Sequence, residues 1–507
     1  MLHKVIIPPT LMNRLGILSF FFICLLFAAC QSSRQTKQST SPNVLFIAVD
    51  DLRPELGCYG NSLIKSPNID RLAAQSWLFR RHFVTVPTCG ASRHSLLTGM
   101  LPRSKADLSN QASATQLANQ PEQEAPETFV HHLRRNGYYT VGIGKLTHHP
   151  DGRVYGYTDP ISEIMELPHS WDEMLFNHGK WGTGHNAFFG YADGSNRQSR
   201  DSQVKPYEAA DVEDEGYPDG LTAQLAIEKM QQLAQKKQPF FLGVGFFKPH
   251  LPFTAPQKYW DLYKRGDMPL SPSPDLPLNV HRASLNKMGE FNRYQLGDEK
   301  ASLDSSLSDA YSRKLMHAYY ACVSYTDAQI GKLMDELDRL GLADNTIIVL
   351  WGDHGWQLGD YRMWGKHTLL ERAVHSPLII KHPGKQTQAR QLDEIVGSID
   401  IYPTLLDLCG IQPHHQTDGQ SLLGLGEEAG RANWKNTAYS YFKKGISVRN
   451  DRYRMTRYDR EDMPNIELFD HQADRWETRN IAEDSPEIVQ ELMPLLLKGD
   501  KNLFSFE

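Results

Sequence analysis

The chain has 507 residues and a formal net charge of −6, with 40% hydrophobic and 22% charged residues. These values are ordinary for a globular protein and suffice for one large domain plus a smaller one. No long basic run is present, which argues against a nucleic-acid partner, although a local pocket can still be basic. The six cysteines are scattered and lack paired C-x-x-C spacing, which argues against a disulfide framework and a zinc site.

The N-terminal segment has the pattern of an export signal. An apolar run follows Arg14 and ends in Phe27-Ala28-Ala29-Cys30. This pattern predicts a signal peptide in residues 1–29 rather than a spanning helix, and the Ala-Ala-Cys ending resembles a bacterial lipobox. Lipidation of Cys30 would anchor the protein to a bacterial membrane, on the periplasmic face or the cell surface. A plain signal peptide and a periplasmic protein are the alternative. Residues 30–42 are polar and predict a flexible tether.

The first apolar run predicts a buried strand with two carboxylates at its end. Asn43–Val49 is continuously apolar after its first residue, as in a strand covered on both faces, and Asp50 and Asp51 follow it. Ligands of parallel sheets collect at the carboxyl ends of strands, and adjacent carboxylates there repel each other unless a cation neutralises them. A helix or turn cap is the alternative. A helix is expected next, with Asn68 or Asp70 near its cap.

Cys89 begins the segment Cys-Gly-Ala-Ser-Arg, which leads into Leu-Leu-Thr-Gly. In a helix, Arg93 would lie one turn beyond Cys89 on the same side. A helix N-terminus at this point adds backbone N–H donors and the positive end of its dipole, so the segment predicts an anion-binding site. The alternative for a lone cysteine is a small buried hydrophobic side chain, but the polar, turn-like flanks favour a chemical role.

Basic residues follow two further predicted strands. Lys145 and His148 come after the strand Tyr138–Gly144, and His250 comes after Pro239–Phe247. Taken alone, a lysine at such a place is usually a solvated charge, and a histidine is usually a hydrogen-bonded loop residue.

Three stretches in the first 310 residues lack regular pattern. Lys105–Gln123, Pro150–Asp219 and Asp267–Ser308 are rich in polar and turn-forming residues and predict loops. Long loops on a rigid scaffold often shape specificity.

The second half repeats the pattern of a buried strand followed by polar residues. Ser312–Leu340 is apolar at three- and four-residue steps and predicts a long helix with its aromatic and methionine side chains in the core. Asp353 and His354 follow the next apolar run and form a second pair of metal-capable ligands. Lys366 follows shortly afterwards and, taken alone, would be a solvated charge.

From about Ala438 the residue pattern predicts short strands with alternating apolar and polar residues, and one helix. This predicts a small antiparallel sheet packed on the large domain.

Together these segments resemble the type I, formylglycine-dependent sulfatase family. The family signature Cys-x-(Pro/Ala)-x-Arg matches at Cys89. Asp-Asp-Leu-Arg-Pro-Glu-Leu-Gly-Cys-Tyr-Gly, Lys-Pro-His-Leu-Pro-Phe and Asp-His-Gly-Trp-Gln-Leu-Gly resemble the iduronate-2-sulfatase branch. Ala91 stands where many members carry proline, which leaves open the maturation enzyme that converts the cysteine.

The resemblance implies an α/β fold of the alkaline-phosphatase-like type. It is a sandwich with a large, mostly parallel central sheet flanked by helices, plus a small C-terminal α+β subdomain with an antiparallel sheet. Residues 43–435 would form the catalytic domain and residues 436–507 the C-terminal subdomain.

The resemblance also implies the chemistry of each site residue. Cys89 would be oxidised to formylglycine. The ligands of one Ca²⁺, with Mg²⁺ as the alternative ion, would be Asp50, Asp51, Cys89, Asp353 and His354. Arg93 and Lys145 would stabilise the hydrated aldehyde, and His148 would hydrogen-bond to it. Lys145 and Lys366 would bind the sulfate. His250 would be the general acid, because an ordinary histidine pKa of about 6.5 suits neutral operation.

The implied activity is removal of O-sulfate from a sulfated carbohydrate. A 2-O-sulfate on a uronic acid or a similar sugar, in ulvan, a glycosaminoglycan or fucoidan, is the expected target, with exo or endo action left open. The expected partners are the sulfated carbohydrate substrate and a formylglycine-generating maturation enzyme. Two alternatives stay open, a phosphomonoesterase or phosphonate hydrolase of the same superfamily and a non-catalytic glycan-binding lipoprotein.

Overall fold

The computed structural model of the protein describes residues 41–383 and 389–504. The predicted signal peptide, the lipidation site at Cys30 and nearly all of the tether lie outside these residues. Within them, no helix is both long and apolar enough to cross a membrane.

The strands are named β1 to β16 in chain order. They are β1 (Asn43–Val49), β2 (Trp77–Phe83), β3 (Tyr139–Gly144), β4 (Glu173–Leu175), β5 (Tyr207–Ala210), β6 (Phe240–Phe246), β7 (Phe253–Pro256), β8 (Thr346–Gly352), β9 (Gln357–Leu358), β10 (Trp364–Gly365), β11 (Leu378–Lys381), β12 (Arg390–Gly397), β13 (Ala438–Phe442), β14 (Gly445–Arg449), β15 (Tyr453–Tyr458) and β16 (Ile466–Asp470).

The α-helices are named α1 to α12 in the same way. They are α1 (Pro67–Ala73), α2 (Cys89–Thr98), α3 (Ala112–Gln116), α4 (Phe129–Arg135), α5 (Gly184–Phe188), α6 (Pro218–Leu233), α7 (Gln257–Trp260), α8 (Asp309–Arg339), α9 (Glu371–Val374), α10 (Ile401–Cys409), α11 (Glu428–Ala432) and α12 (Pro486–Gly499).

Eight strands form the central sheet, in the order β12-β2-β11-β8-β1-β6-β3-β4. All neighbouring pairs are parallel except those made by β11, which runs antiparallel to both β8 and β2. Every residue of β1, β6 and β8 is buried. The continuous apolar runs of these three strands therefore have the expected cause, which is cover on both faces of the sheet.

Each face of the sheet has its own hydrophobic core. Leu45, Ile47 and Val49 of β1 face the side covered by α6 and α8. The alternate residues Val44 and Phe46 face the side covered by α4 and α10. Because side chains alternate along a strand, one strand thus supplies both layers of the sandwich. The predicted α/β sandwich is confirmed.

Near the C-terminus, β13 to β16 form an antiparallel sheet in sequence order, and α12 packs on it. Val86 and Ala91, which flank Cys89, belong to the same core. The C-terminal sheet therefore supports the segment that carries the candidate nucleophile.

Several details differ from the sequence predictions. The segment Lys105–Gln123 holds a 3-10 turn and α3. The 3-10 turn is stabilised because the Asp107 carboxylate accepts hydrogen bonds from the backbone N–H groups of Arg103 and Ser104 at 2.8 Å. The segment Pro150–Asp219 likewise contains β4, α5 and β5.

Helix α1 begins at Pro67 after the N-cap Ser66, so Asn68 lies near the cap as predicted and Asp70 lies in the first turn. The carboxylate of Asp327 accepts hydrogen bonds from the N–H groups of Asn68 and Ile69, so a distant residue satisfies the helix start. Strands β2 and β12 were not predicted at all, because their charged residues mask the apolar pattern.

Candidate active site

Helix α2 places Cys89 at its first position. Thr88 before it is extended, and all ten residues of the helix are buried. Gly90 is required at the second position, because a Cβ there would lie 2.1 Å from the backbone oxygen of Asn110. The N–H of Gly90 donates to Asn110 Oδ1 at 2.9 Å. A tightly packed helix start thus holds position 89, as expected for a residue with a chemical role.

The pairs Asp50-Asp51 and Asp353-His354 meet beside Cys89 although about 300 residues separate them in the chain. They follow β1 and β8, which are parallel neighbours, so their carboxyl ends lie at the same edge. The N–H of Asp51 donates to Asp353 Oδ1 at 3.0 Å. Asp51 has a left-handed φ of 59°, a conformation that aspartate tolerates better than most residues. The predicted meeting of both pairs at one sheet edge is what the structure shows.

Four groups there lie within 4.8 Å of one another and could hold a metal ion, namely Asp50, Cys89, Asp353 and His354. Cys89 Sγ lies 3.4 Å from Asp50 Oδ1 and 3.2 Å from His354 Nε2. Asp51 Oδ2 is buried without a hydrogen-bond partner in the described residues. An orphaned carboxylate oxygen among carboxylate and imidazole ligands fits a divalent cation.

Three buried cations surround the same point. Arg93 Nε donates to Asp353 Oδ2 at 3.0 Å, and its Nη1 donates to the backbone oxygen of Lys145. Lys145 Nζ pairs with Asp50. Lys366 Nζ lies 2.7 Å from Asp51 Oδ1 and 3.4 Å from Cys89 Sγ. None of the three is a solvated surface charge, so the alternative reading of the two lysines is wrong.

The surroundings shift the pKa values of the acidic groups and the thiol. Burial opposes ionisation of Asp50, but Lys145 and other nearby cations outweigh it and lower the pKa. The pKa of Asp51 is raised because burial and the neighbouring Asp50 outweigh Lys366. Burial, with Asp50, raises the pKa of the Cys89 thiol to about 12. An unconverted Cys89 is therefore a protonated, weakly nucleophilic thiol at neutral pH.

His250 lies in the site, but its environment differs from the expectation. Its Nε2 lies 2.9 Å from Glu290 Oε1 and 3.8 Å from Asp51 Oδ2, and its ring packs 4.4 Å from that of Phe188. Burial, together with Lys366, lowers the pKa of His250 to about 4. The expectation of an ordinary pKa near neutrality is therefore wrong, because the imidazolium is desolvated beside a cation.

His148 is also buried. Burial and the nearby Lys145 lower its pKa well below the usual range, and its Nδ1 has no partner in the described chain. The neutral ring therefore has an unused nitrogen close to the lysine.

Sequence reasoning missed Glu290. Its carboxylate contacts both His250 and Lys366, the latter at 3.5 Å. It lies in the loop-rich stretch Asp267–Ser308, where nothing in the local pattern marks one acidic residue among several. Sequence reasoning also missed Phe188 and Trp356, whose rings lie 4.0 Å and 5.1 Å from the amino groups of Lys145 and Lys366 respectively.

Comparisons with known proteins identify the family of the chain. Residues 42–411 match the family model described as Sulfatase, and residues 359–501 match the model described as N-sulphoglucosamine sulphohydrolase, C-terminal. Human iduronate 2-sulfatase is 31% identical over 420 residues, which cover 76% of this chain and 72% of that protein. A sulfatase of Formosa agariphila is 30% identical over 452 residues, 86% of this chain and 83% of that protein. The chain belongs to the sulfatase family of enzymes.

Solved structures show the same fold. A structure described as a complex with its substrate D-glucosamine-2-N,6-O-disulfate has a TM-score of 0.69 at 22% identity, covering 90% of this chain and 97% of that one. The phosphonate monoester hydrolase of Agrobacterium radiobacter has a TM-score of 0.70 at 23% identity, covering 90% and 95%. The family and fold predicted from the motifs are thus confirmed.

Proposed function

We propose that this sulfatase removes O-sulfate from a sulfated polysaccharide or oligosaccharide, through a formylglycine made from Cys89. The observation that carries the proposal is the packing of Cys89 Sγ between metal-capable carboxylates and the amino group of Lys366. A sulfate monoester needs such a site, because negative charge must be neutralised while the sulfur is attacked.

The preferred target is a 2-O-sulfate of a uronic acid or a similar sugar. This rests on similarity alone. The iduronate 2-sulfatases are among the relatives, and an ulvan-active sulfatase of Formosa agariphila is 28% identical over 405 residues. A solved structure described as a 2-O glycosaminoglycan sulfatase has a TM-score of 0.62 at 21% identity.

The Cys89 thiol is a poor nucleophile in this site, which supports its conversion to formylglycine. When formed, the hydrated aldehyde would supply one hydroxyl for attack on sulfur and a second for later release of sulfate. The fixed start of α2 holds this position beside Asp50 and His354 whether or not the side chain is converted. Conversion requires a maturation enzyme, which is the second partner we propose.

The metal site consists of residues that are already in place. Asp50, Asp51, Asp353, His354 and the converted residue 89 would hold one ion, with Ca²⁺ favoured by the carboxylates and Mg²⁺ as the alternative. When bound, the ion would polarise the sulfate oxygens. The buried, unpartnered Oδ2 of Asp51 supports this assignment.

The cations of the chain bind and orient the substrate. Lys145 pairs with Asp50 and Lys366 pairs with Asp51, and the amino group of each lysine would bind a sulfate oxygen of the substrate. Arg93 is anchored on Asp353 and would keep its position beside residue 89. His148 would hydrogen-bond to the hydroxyl groups there.

His250 would donate the proton to the leaving oxygen. Its pKa of about 4 applies to the site without substrate. A sulfate ester that enters beside it brings negative charge, which favours the imidazolium and raises the pKa. Glu290, 2.9 Å from Nε2, acts in the same direction.

A phosphonate or phosphate ester hydrolase is the second candidate. The fold of the phosphonate monoester hydrolase, at a TM-score of 0.70, favours it as strongly as the fold of the sulfatases. Both reactions need the same neutralisation of a tetrahedral anion.

The deciding experiment is desulfation by protein co-expressed with a formylglycine-generating maturase. The panel holds ulvan, heparan, dermatan and fucoidan oligosaccharides and an aryl phosphate. Sulfate release from a uronate-containing oligosaccharide is expected from the wild type and not from Cys89→Ala. Cys409→Ala, which removes a buried thiol in α10, is the matched control and should stay active. Phosphate release without sulfate release would support the second candidate instead.

The protein is further proposed to be exported and lipid-anchored at Cys30. Support comes from the N-terminal sequence alone. Mass spectrometry of the mature N-terminus should find a diacylglyceryl-modified Cys30, and Cys30→Ala should move the protein from the membrane fraction to the soluble fraction.

A further inference from the structure

A cavity of about 740 Å³ lies between the loop-rich stretch Asp267–Ser308 and the C-terminal sheet. We call it the lysine cavity. The residues that matter for its chemistry are Lys287, Phe442, Lys443 and Lys444, all of which line it. Neither the predicted catalytic residues nor the predicted metal ligands belong to its wall.

The lysine cavity is connected to the catalytic residues by two segments. His367 follows the catalytic Lys366 directly, and its ring stacks on that of Phe442 at 5.5 Å with an angle of 11°. On the other side, Asn286 donates a side-chain hydrogen bond to the backbone oxygen of Lys366, and Glu290 reaches the amino group of the same lysine. Residues on both sides of the cavity are therefore joined by direct contacts to Lys366 or its neighbour His367.

The charges of the cavity are unevenly compensated. Five basic and two acidic side chains line it. Arg282 pairs with Asp304 at 2.8 Å, and Arg460 lies 3.5 Å from Glu467. Lys287, Lys443 and Lys444 are exposed, and in the described part of the chain no carboxylate lies within ion-pair distance of any of them. Asp462, the second acidic residue of the wall, forms no ion pair with them. Three lysines against one unpaired carboxylate leave the cavity with net positive charge.

The wall behind the lysines is firmly held. Ser284 Oγ donates to Glu467 Oε1 at 2.5 Å and accepts from Arg460 Nη1 at 2.9 Å. Leu285 and Met288 are buried in the main core. Lys443 Nζ lies 5.2 Å from the centroid of the Phe442 ring. A rigid, partly apolar wall with an aromatic ring and ammonium groups that lack carboxylate partners suits a sugar ring that carries an anion.

Resting on the proposed function, we propose that the lysine cavity is a second subsite for the carbohydrate. It binds the sugar next to the one that carries the scissile sulfate. Phe442 packs against the ring of that sugar, and Lys443 and Lys444 bind its own sulfate or carboxylate, with Lys287 opposite. The substrate is then an oligosaccharide with an anionic group on adjacent sugars, rather than a small monosulfate.

The test compares one substrate that reaches the cavity with one that does not. The double variant Lys443→Gln/Lys444→Gln keeps a polar side chain of similar size at both exposed positions and removes the charge. Enzyme matured by co-expression is assayed on heparan- and ulvan-derived tetrasaccharides and on 4-methylumbelliferyl sulfate, at 50 mM and 500 mM NaCl. The matched control is Lys237→Gln/Lys264→Gln, which removes two exposed lysines that do not line the cavity.

The double variant should raise KM for the tetrasaccharides about tenfold and leave their kcat within about twofold. The aryl sulfate should change less than twofold, and the control variant should match the wild type on both. Added salt should raise the tetrasaccharide KM of the wild type more than that of the double variant, because it screens exposed charges. Equal effects on both substrates, or no effect on the tetrasaccharides, would overturn the subsite.

A binding measurement separates this subsite from the proposed activity. Full-length Cys89→Ala, with and without the two lysine substitutions, is titrated with the heparan-derived tetrasaccharide by calorimetry. A tenfold loss of affinity in the lysine variant supports the subsite even if no sugar in the panel is desulfated. Equal affinity of both proteins refutes it even if the wild type releases sulfate.

Discussion

Two buried charge clusters in this protein are built in different ways. One is the group of proposed catalytic and metal-binding residues around Cys89, here called the catalytic cluster. The other, here called the junction cluster, joins α9 to the C-terminal sheet and consists of Glu371, Arg449, Arg454, His471 and Glu477. Both contain carboxylates close to a histidine, and both have the ligand types of a metal site.

The charged groups of the junction cluster form ion pairs and hydrogen bonds with one another. Arg454 pairs with Glu371 and, at 2.8 Å, with Glu477, and Arg449 Nε donates to Glu371 at 3.2 Å. His471 Nε2 lies 3.0 Å from Glu477. Two arginines already neutralise the two carboxylates, so a cation would meet no free negative charge there.

The carboxylates of the cluster around Cys89 also have cationic partners, but two of its polar atoms lack hydrogen bonds. Asp51 Oδ2 and His148 Nδ1 are buried without partners among the described residues. Buried polar atoms normally have partners, so such exceptions suggest a missing ligand. Burial of charge alone therefore does not distinguish the two clusters, whereas the unpartnered Asp51 and His148 atoms do.

The strongest test of this difference removes one carboxylate from the catalytic cluster. Asp51→Asn should lower sulfate release about 10³-fold, because a metal ligand is lost. The unfolding free energy without metal should change by less than about 1 kcal/mol, since relief from Asp50 offsets the loss for Lys366. Turnover assays and urea denaturation measure the two effects. Asp344→Asn, an exposed acid before β8, should alter neither.

Removing a carboxylate from the junction cluster should lower the stability of the protein and leave its activity unchanged. Glu477→Gln leaves the buried Arg454 short of one partner, which should cost about 4 kcal/mol of unfolding free energy in urea denaturation. The folded fraction should keep its kcat. Glu483→Gln, an exposed glutamate of the same region, should cost less than about 0.5 kcal/mol. A marked loss of kcat in folded Glu477→Gln would contradict the division into two roles.

Glu467, a buried residue of the C-terminal sheet, avoids the cost of a buried charge because it is protonated at acidic pH. Burial raises the pKa of Glu467 to about 7 from an ordinary 4.5. Between these pH values the folded state binds more protons than the unfolded state, so stability is full below 4.5 and declines as the pH rises through 7. About 3 kcal/mol should be lost in this window. Urea denaturation at pH 5 and 7.5 should show this loss in the wild type and a smaller one in Glu467→Gln.

Metal binding should distinguish the two clusters directly. Ca²⁺ added to chelator-treated protein, at about 100 times its dissociation constant, should raise the unfolding free energy by about 2.7 kcal/mol. The gain should persist in Glu477→Gln and vanish in Asp51→Asn. Retention of the gain in Asp51→Asn would place the ion elsewhere.

How far the sequence predicts this protein varies along the chain. The strands β1, β6 and β8 were predictable because both of their faces are covered, which forces continuous apolar runs. Strand β2 was not, because Arg80 and Arg81 interrupt its pattern. The antiparallel direction of β11 depends on its neighbours β8 and β2, which no local pattern records.

The sequence by itself determined which residue types stand at the strand ends and at the start of α2, since buried strands and a helix start leave clear local patterns. Only the tertiary structure decided the electrostatics of the site. In the folded chain Glu290, which lies in a loop without regular pattern, contacts His250. Burial and the nearby Lys366 lower the pKa of that histidine to about 4. Coulomb interactions and desolvation depend on distance and burial in space, and neither follows from the order of residues in the chain.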